Sequence, residues 1–131
     1  MKITVSGSAK KLDELEKLRD ELTAMGFDVH VPTRSSDYQL GDYELRKELI
    51  DEHLNFMRDC DVFLIGNIKS PDEKFGHVGL STYFETGWAY ALGKPIFALN
   101  EIDPGSEMAE DLLSLGIIIL NGNFNKLREG I

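Results

Sequence analysis

Five short apolar runs alternate with stretches of helical periodicity along this chain. The runs are Ile3–Ser6, Asp28–Val31, Val62–Gly66, Ile96–Leu99 and Ile117–Leu120, rich in Val, Ile, Leu and Phe. Strands covered on both faces carry such near-continuous apolar runs. Between the first two, Leu12, Leu15, Leu18, Leu22 and Met25 recur at helical spacing among charges, which predicts a helix over Lys10–Met25 stopped by Gly26. A second helix is predicted over Tyr43–Arg58, with Leu45, Leu49, Leu54 and Met57 on its apolar side. A third covers Ser81–Leu92 and is ended by Gly93 and Pro95; a short fourth covers 106–115. Repeated strand–helix–strand units predict an α/β fold: one parallel sheet with right-handed crossovers and helices on both faces. With 131 residues the chain makes one domain over 1–131, and its polar tail, 121–131, is expected to be only partly ordered.

In open parallel sheets ligands bind beyond the carboxyl ends of the strands. That edge collects Ser6, Gly7 and Ser8 after the first strand, and Asn67 after the third. It also collects two long loops, 32–42 (with Arg34, Ser35, Ser36, Asp37 and Tyr38) and 67–78, and the start of the third helix at Ser81. Ser81 and Thr82 lie one turn before Glu85 and on its face. Glu85 is a lone acid in a helix of small, apolar and aromatic residues, where a carboxylate is costly unless something uses it. The alternative is a first-turn acid favoured by the helix dipole. Ser6-Gly7-Ser8 forms a tight turn whose N–H groups suit an anion or a hydroxyl, or Ser8 serves only as an N-cap. His53, on the second helix, stands eight residues before Asp61, which precedes a strand and so falls at the opposite edge. Tyr83, Phe84, Trp88 and Tyr90 are expected in the core or at a subunit interface, with one of them placed to stack on a ligand base.

Composition narrows the partners. The chain has 23 acids against 14 bases, a net charge of −9, and no basic cluster, which argues against nucleic-acid binding. No apolar stretch is long enough to span a membrane, and Met1–Val5 runs directly into a strand with no signal region, so a cytoplasmic protein is expected. One cysteine, Cys60, excludes an intrachain disulfide and a cysteine-based zinc site; it is read as a small packed hydrophobe. His30 and His77 have no metal-ligand spacing to carboxylates, so neither metal nor tightly bound cofactor is implied. No phosphate-binding loop and no nucleophile-elbow serine is present.

The segment Glu85-Thr86-Gly87-Trp88-Ala89, followed by Gly93-Lys94-Pro95-Ile96 and preceded by Gly79-Leu80, resembles the signature of the nucleoside 2-deoxyribosyltransferase superfamily. The subgroup it is most similar to also carries Ser6-Gly7-Ser8 after strand one and Leu120-Asn121-Gly122 at the end of the last strand. The resemblance spans most of the chain. It implies a flavodoxin-like three-layer sandwich and a glutamate, here Glu85, that attacks the anomeric carbon of a nucleoside and holds the sugar covalently until a second base or water takes it. It further implies a small nucleoside or nucleotide substrate and a homodimer or larger homo-oligomer. Three positions depart from the family pattern. His53 stands where an Asp usually lies near the base, Gly79 stands where an Asp usually binds a sugar hydroxyl, and Val5-Ser6 replaces an aromatic at the end of strand one. The sequence therefore points to an N-glycosidic bond enzyme with Glu85 as nucleophile, and with Ser6, Gly7, Ser8, His53, Asn67, Gly79, Ser81 and Thr82 around the substrate. A non-catalytic nucleotide-binding module of the same fold is the alternative, motivated by the missing Asp at Gly79.

Overall fold

A computed structural model describes residues 1–33 and 39–129. Arg34, Ser35, Ser36, Asp37 and Tyr38 of the first long loop, and Gly130 and Ile131 of the tail, lie outside the described residues. The strands are β1 (Lys2–Ser6), β2 (Asp28–His30), β3 (Val62–Ile65), β4 (Ile96–Ala98) and β5 (Ile118–Ile119). The helices are α1 (Leu12–Ala24), entered through a 3-10 turn at Ala9–Lys11, α2 (Tyr43–Asp59), α3 (Leu80–Ala91), α4 (Ala109–Ser114) and α5 (Lys126–Glu129). All strand pairs are parallel and the order is β2-β1-β3-β4-β5. This is the flavodoxin-like doubly wound order, and it reverses direction between β1 and β3.

Side-chain alternation sorts the core into two layers. Ile3, Val5, Val62 and Leu64 face α1 and α5, joining Leu15, Leu18, Leu22 and Leu127. Phe63 and Ile65 face the other way, toward Met57 of α2, Ala89 of α3 and Leu112 of α4. The intervening β1 residues, Thr4 and Ser6, are polar and fully buried on the α2 side. Thr4 Oγ1 donates to the Phe56 carbonyl at 3.1 Å, which satisfies the hydroxyl and ties α2 to β1.

Small residues let α1 start close to the sheet. A Cβ added at Gly7 would stand 2.8 Å from Leu15 Cδ1 and 3.0 Å from the Gly66 carbonyl oxygen. Asp42 caps α2, its Oδ1 accepting from Leu45 N at 3.1 Å.

The predicted elements are present, with strands shortened at their ends and α4 confined to its last turns. Two expectations change. The tail does not stay loose as far as Glu129: Leu127 of α5 is fully buried. Arg128 binds the Met25 carbonyl and lies over the Phe27 ring, its guanidinium carbon 4.6 Å from the centroid. The apolar side of α2 is not a core face either, since only Met57 is buried. Leu49 and Ile50 instead line a cavity. Cys60 is buried, with its thiol donating to the Met57 carbonyl. Asp61 accepts from Lys2 N at 2.8 Å at the amino edge of the sheet, the edge opposite the cavity, where its position before a strand places it. Among the described residues no helix is long and apolar enough to cross a membrane.

Candidate active site

The cavity opens at the switch point between β1 and β3, where two neighbouring strands send their chains in opposite directions and leave a crevice. Its volume is about 580 Å³, within the range of small-molecule sites. α2 brings Arg46, Leu49, Ile50 and His53, and α3 brings Gly79 to Thr82 and then Phe84, Glu85 and Trp88; Ser6, expected as a substrate contact, does not line the cavity but is fully buried at the end of β1 against His53 and Glu85.

Three side chains meet at one carboxylate oxygen. Ser6 Oγ donates to Glu85 Oε2 at 2.6 Å. His53 Nε2 lies 2.8 Å from the same Oε2 and 2.7 Å from Ser6 Oγ. With the Ser6 proton directed at the carboxylate, favourable contacts at those distances require a proton on Nε2. The side chains of His53 and Glu85 are 12% and 17% exposed, so the pair is largely withdrawn from water yet borders the cavity. Neither contact uses Oε1. The carboxylate is therefore fixed through one oxygen while the other remains for chemistry. This is not a serine-hydrolase relay, because Ser6 and Glu85 both meet the same imidazole nitrogen instead of opposite ones.

The cavity end of β2 holds a second imidazole. His30 pairs with Thr4 across the β1–β2 ladder and so faces α2. Its ring stacks on Phe56 with centroids 3.6 Å apart and planes 9° apart, and it lies 5.6 Å from the His53 ring. Burial, and secondarily the neighbouring His53, lower its pKa to about 4.

The remaining sequence-derived residues divide. Gly7, Ser8, Gly79, Ser81 and Thr82 all line the cavity. Ser8 also caps the 3-10 turn, accepting from Lys10 N at 3.2 Å, so both readings of that serine hold in part. Gly79 is the N-cap of α3 and makes no side-chain cap; a Cβ there would meet nothing within 4 Å, so the place of the missing Asp is open space on the cavity wall. Thr82 is buried and its carbonyl accepts from Thr86 Oγ1 at 2.7 Å. Asn67 is not a lining residue. It is buried, and its amide clips the loop after β3 to the loop after β4. Its Nδ2 donates to the Asn100 carbonyl at 2.7 Å and its Oδ1 accepts from Asn100 N at 3.0 Å.

None of the four aromatics of α3 is fully buried: Phe84 and Tyr90 are exposed, and Tyr83 donates to Asp111 Oδ2 at 2.6 Å. Phe84 and Trp88 stack at a tilt, 4.3 Å between centroids, on the cavity wall.

His30 and Arg46 were not singled out from the sequence as site residues. The signal for Arg46 was its spacing: Arg46, Leu49, Ile50 and His53 fall at i, i+3, i+4 and i+7, one face of α2. The signal for His30 was a polar residue inside an apolar strand run, between Val29 and Val31.

Against known proteins, the model of the family described as nucleoside 2-deoxyribosyltransferase matches residues 5–115. No curated protein matches the chain. Solved structures that share its fold include the following three. A 2-deoxyribosyltransferase from Bacillus psychrosaccharolyticus is 20% identical, with a TM-score of 0.62 over 85% of this chain and 81% of the other. A CMP N-glycosidase from Clostridium botulinum is 22% identical, with a TM-score of 0.53 over 96% of each chain. A 2-deoxyribosyltransferase from Leishmania mexicana is 19% identical, with a TM-score of 0.54 over 76% of this chain and 63% of the other. With a family match over most of its length, and the fold and the Glu85 segment that match implies, the chain belongs to the nucleoside 2-deoxyribosyltransferase family.

Proposed function

We propose that this protein breaks the N-glycosidic bond of a nucleoside or nucleoside monophosphate by way of a covalent sugar ester on Glu85. The observation that carries the reading is the anchoring of Glu85 Oε2 by Ser6 and His53 beside a cavity at the sheet's carboxyl edge, with Oε1 left out of both contacts. In the first step Oε1 bonds to the anomeric carbon as the bond from that carbon to the base nitrogen breaks. The electron pair departs with the base, which takes up a proton. In the second step a water or an acceptor base attacks the same carbon, gives up a proton, and Glu85 is released as a carboxylate.

His53 suits the proton traffic. Its Nε2, 2.8 Å from Glu85 Oε2, is the proton-bearing nitrogen beside the nucleophile, and it donates to the base as that base departs. Ser6 keeps the carboxylate aimed and is too buried to act as a nucleophile.

Two features support a 5′-monophosphate over a free nucleoside. Gly79 leaves the first-turn N–H groups of α3 at the cavity wall without a side-chain cap, and Arg46 is the cationic side chain among the described lining residues. Arg46→Ala is therefore expected to raise KM for monophosphates about tenfold and to leave nucleosides nearly unchanged. Subunit pairing along α3 is part of the same proposal. Leu80 and Phe84 are exposed and border both the cavity and a second, apolar groove of about 430 Å³ shared with Tyr90 and Leu115.

Chromatographic detection of free base from a panel of nucleosides, deoxynucleosides and their monophosphates tests the reaction. Release by the wild type and none by Glu85→Gln is expected. Tight, intact retention of a nucleotide by both proteins would favour the binding-module alternative.

A further inference from the structure

We propose that His30 reads the hydrogen-bonding edge of the leaving nucleobase and so sets which base is released, an inference that rests on the glycosidic reaction above. The argument starts from what each polar group in the cavity already does. Ser6 and His53 are committed to Glu85 Oε2. Arg46 and the start of α3 suit an anion. His30 is different. Among the described residues its ring contacts are the stack on Phe56 and the tilted approach to His53, and neither uses a ring nitrogen for hydrogen bonding.

Its position fits the part of the substrate that remains. The anomeric carbon must come to about 3–3.5 Å from Glu85 Oε1 for attack. His53 lies directly against that carboxylate, and His30 stands one ring further along the same wall, at the end of β2. A base attached to the anomeric carbon and receiving a proton from the His53 side extends toward that wall. The stack on Phe56 holds the imidazole plane, so its two nitrogens point in fixed directions. A half-buried group held neutral presents one donor and one acceptor. Because the two nitrogens diverge across the ring, one of them meets a single position of the base's edge, as donor or acceptor according to tautomer, and it brings no uncompensated charge into the site. Discrimination then comes from the mismatched base, which leaves that nitrogen unpaired.

The test measures kcat/KM for base release across adenine, guanine, hypoxanthine, cytosine and thymine substrates, using wild type, His30→Phe and His30→Gln. His30→Phe keeps the aromatic stack on Phe56 and removes both nitrogens; His30→Gln keeps a donor and an acceptor. In His30→Phe the preferred base is expected to lose about tenfold or more, while the poorest base changes by less than about twofold, so the ranking flattens. His30→Gln is expected to retain a ranking, with changed order or reduced spread. Thermal melts check that each variant folds; should His30→Phe fail to fold, the His30→Gln ranking decides. An equal loss for every base, or an unchanged ranking in the folded variants, would overturn the inference while leaving the glycosidic reaction standing. A wild type that releases no base from any substrate removes both.

Discussion

Glu85 Oε2 receives both Ser6 and His53, and the energetic consequence is a carboxylate with little rotational freedom and one unshared oxygen. Glu85→Gln is expected to lower kcat at least about 10³-fold, because an amide cannot form the ester. Ser6→Ala is expected to lower kcat about tenfold with a smaller change in KM, since it removes an aiming contact and not a substrate contact; steady-state kinetics separates the two. His30 adds a stability signature. Its folded pKa of about 4 lies below the ordinary histidine value, so the unfolded chain binds the proton more readily. The stability it confers is complete above the unfolded pKa and is lost as pH falls from about 6.5 toward 4. The melting temperature of His30→Phe should therefore drop less than that of the wild type between pH 7 and pH 4.5. Parallel melting curves that fall equally would contradict this.

At the scale of elements, two devices bring the site together. Gly7 allows the turn after β1 to press against Leu15 of α1 and the Gly66 backbone, which sets where Ser6 ends and the cavity begins. Gly7→Ala places a methyl into those atoms and is expected to cost about 1–3 kcal/mol in urea unfolding. The second device is the Asn67–Asn100 clip, completed by Asn100 Nδ2 donating to the Asn67 carbonyl at 2.9 Å. It joins the loops leaving β3 and β4, one of which leads to α3. Asn67→Ala is expected to cost about 1–2 kcal/mol by leaving partly buried backbone groups of Asn100 without their side-chain partners. The same element explains what the sequence made legible. Strand runs and the helical periodicity of α1 announce burial directly, and the lone acid of α3 stands out against apolar neighbours. Asn67 was read as a rim residue because its strand ends there. Its side chain is spent on Asn100, a residue 33 positions away, and no local pattern encodes that pairing. His30 is weighed from the sequence only as a metal ligand for a related reason: its place under α2 follows from the β1–β2 register and from Phe56, neither of which is a spacing along the chain.

Across the whole molecule, a doubly wound sheet converts distant residues into neighbours. Ser6, His53 and Glu85 lie on β1, α2 and α3, and the reversal of strand order between β1 and β3 opens the crevice in which they meet. The outer side of α3 leaves Leu80, Phe84 and Tyr90 exposed next to that crevice. Pairing of two copies there predicts that Phe84→Glu shifts light-scattering mass toward the monomer and raises KM by opening the cavity wall. A monomeric wild type at high concentration would refute the pairing and leave the reaction untouched. The claim on which the rest depends is the covalent step at Glu85. Acid-quenched turnover mixtures analysed by intact-protein and peptide mass spectrometry test it most directly. The account predicts a mass increment equal to the substrate's sugar portion, located on the peptide containing Glu85 and absent from Glu85→Gln. Base release at full rate by Glu85→Gln, or an adduct on any other side chain, would contradict it.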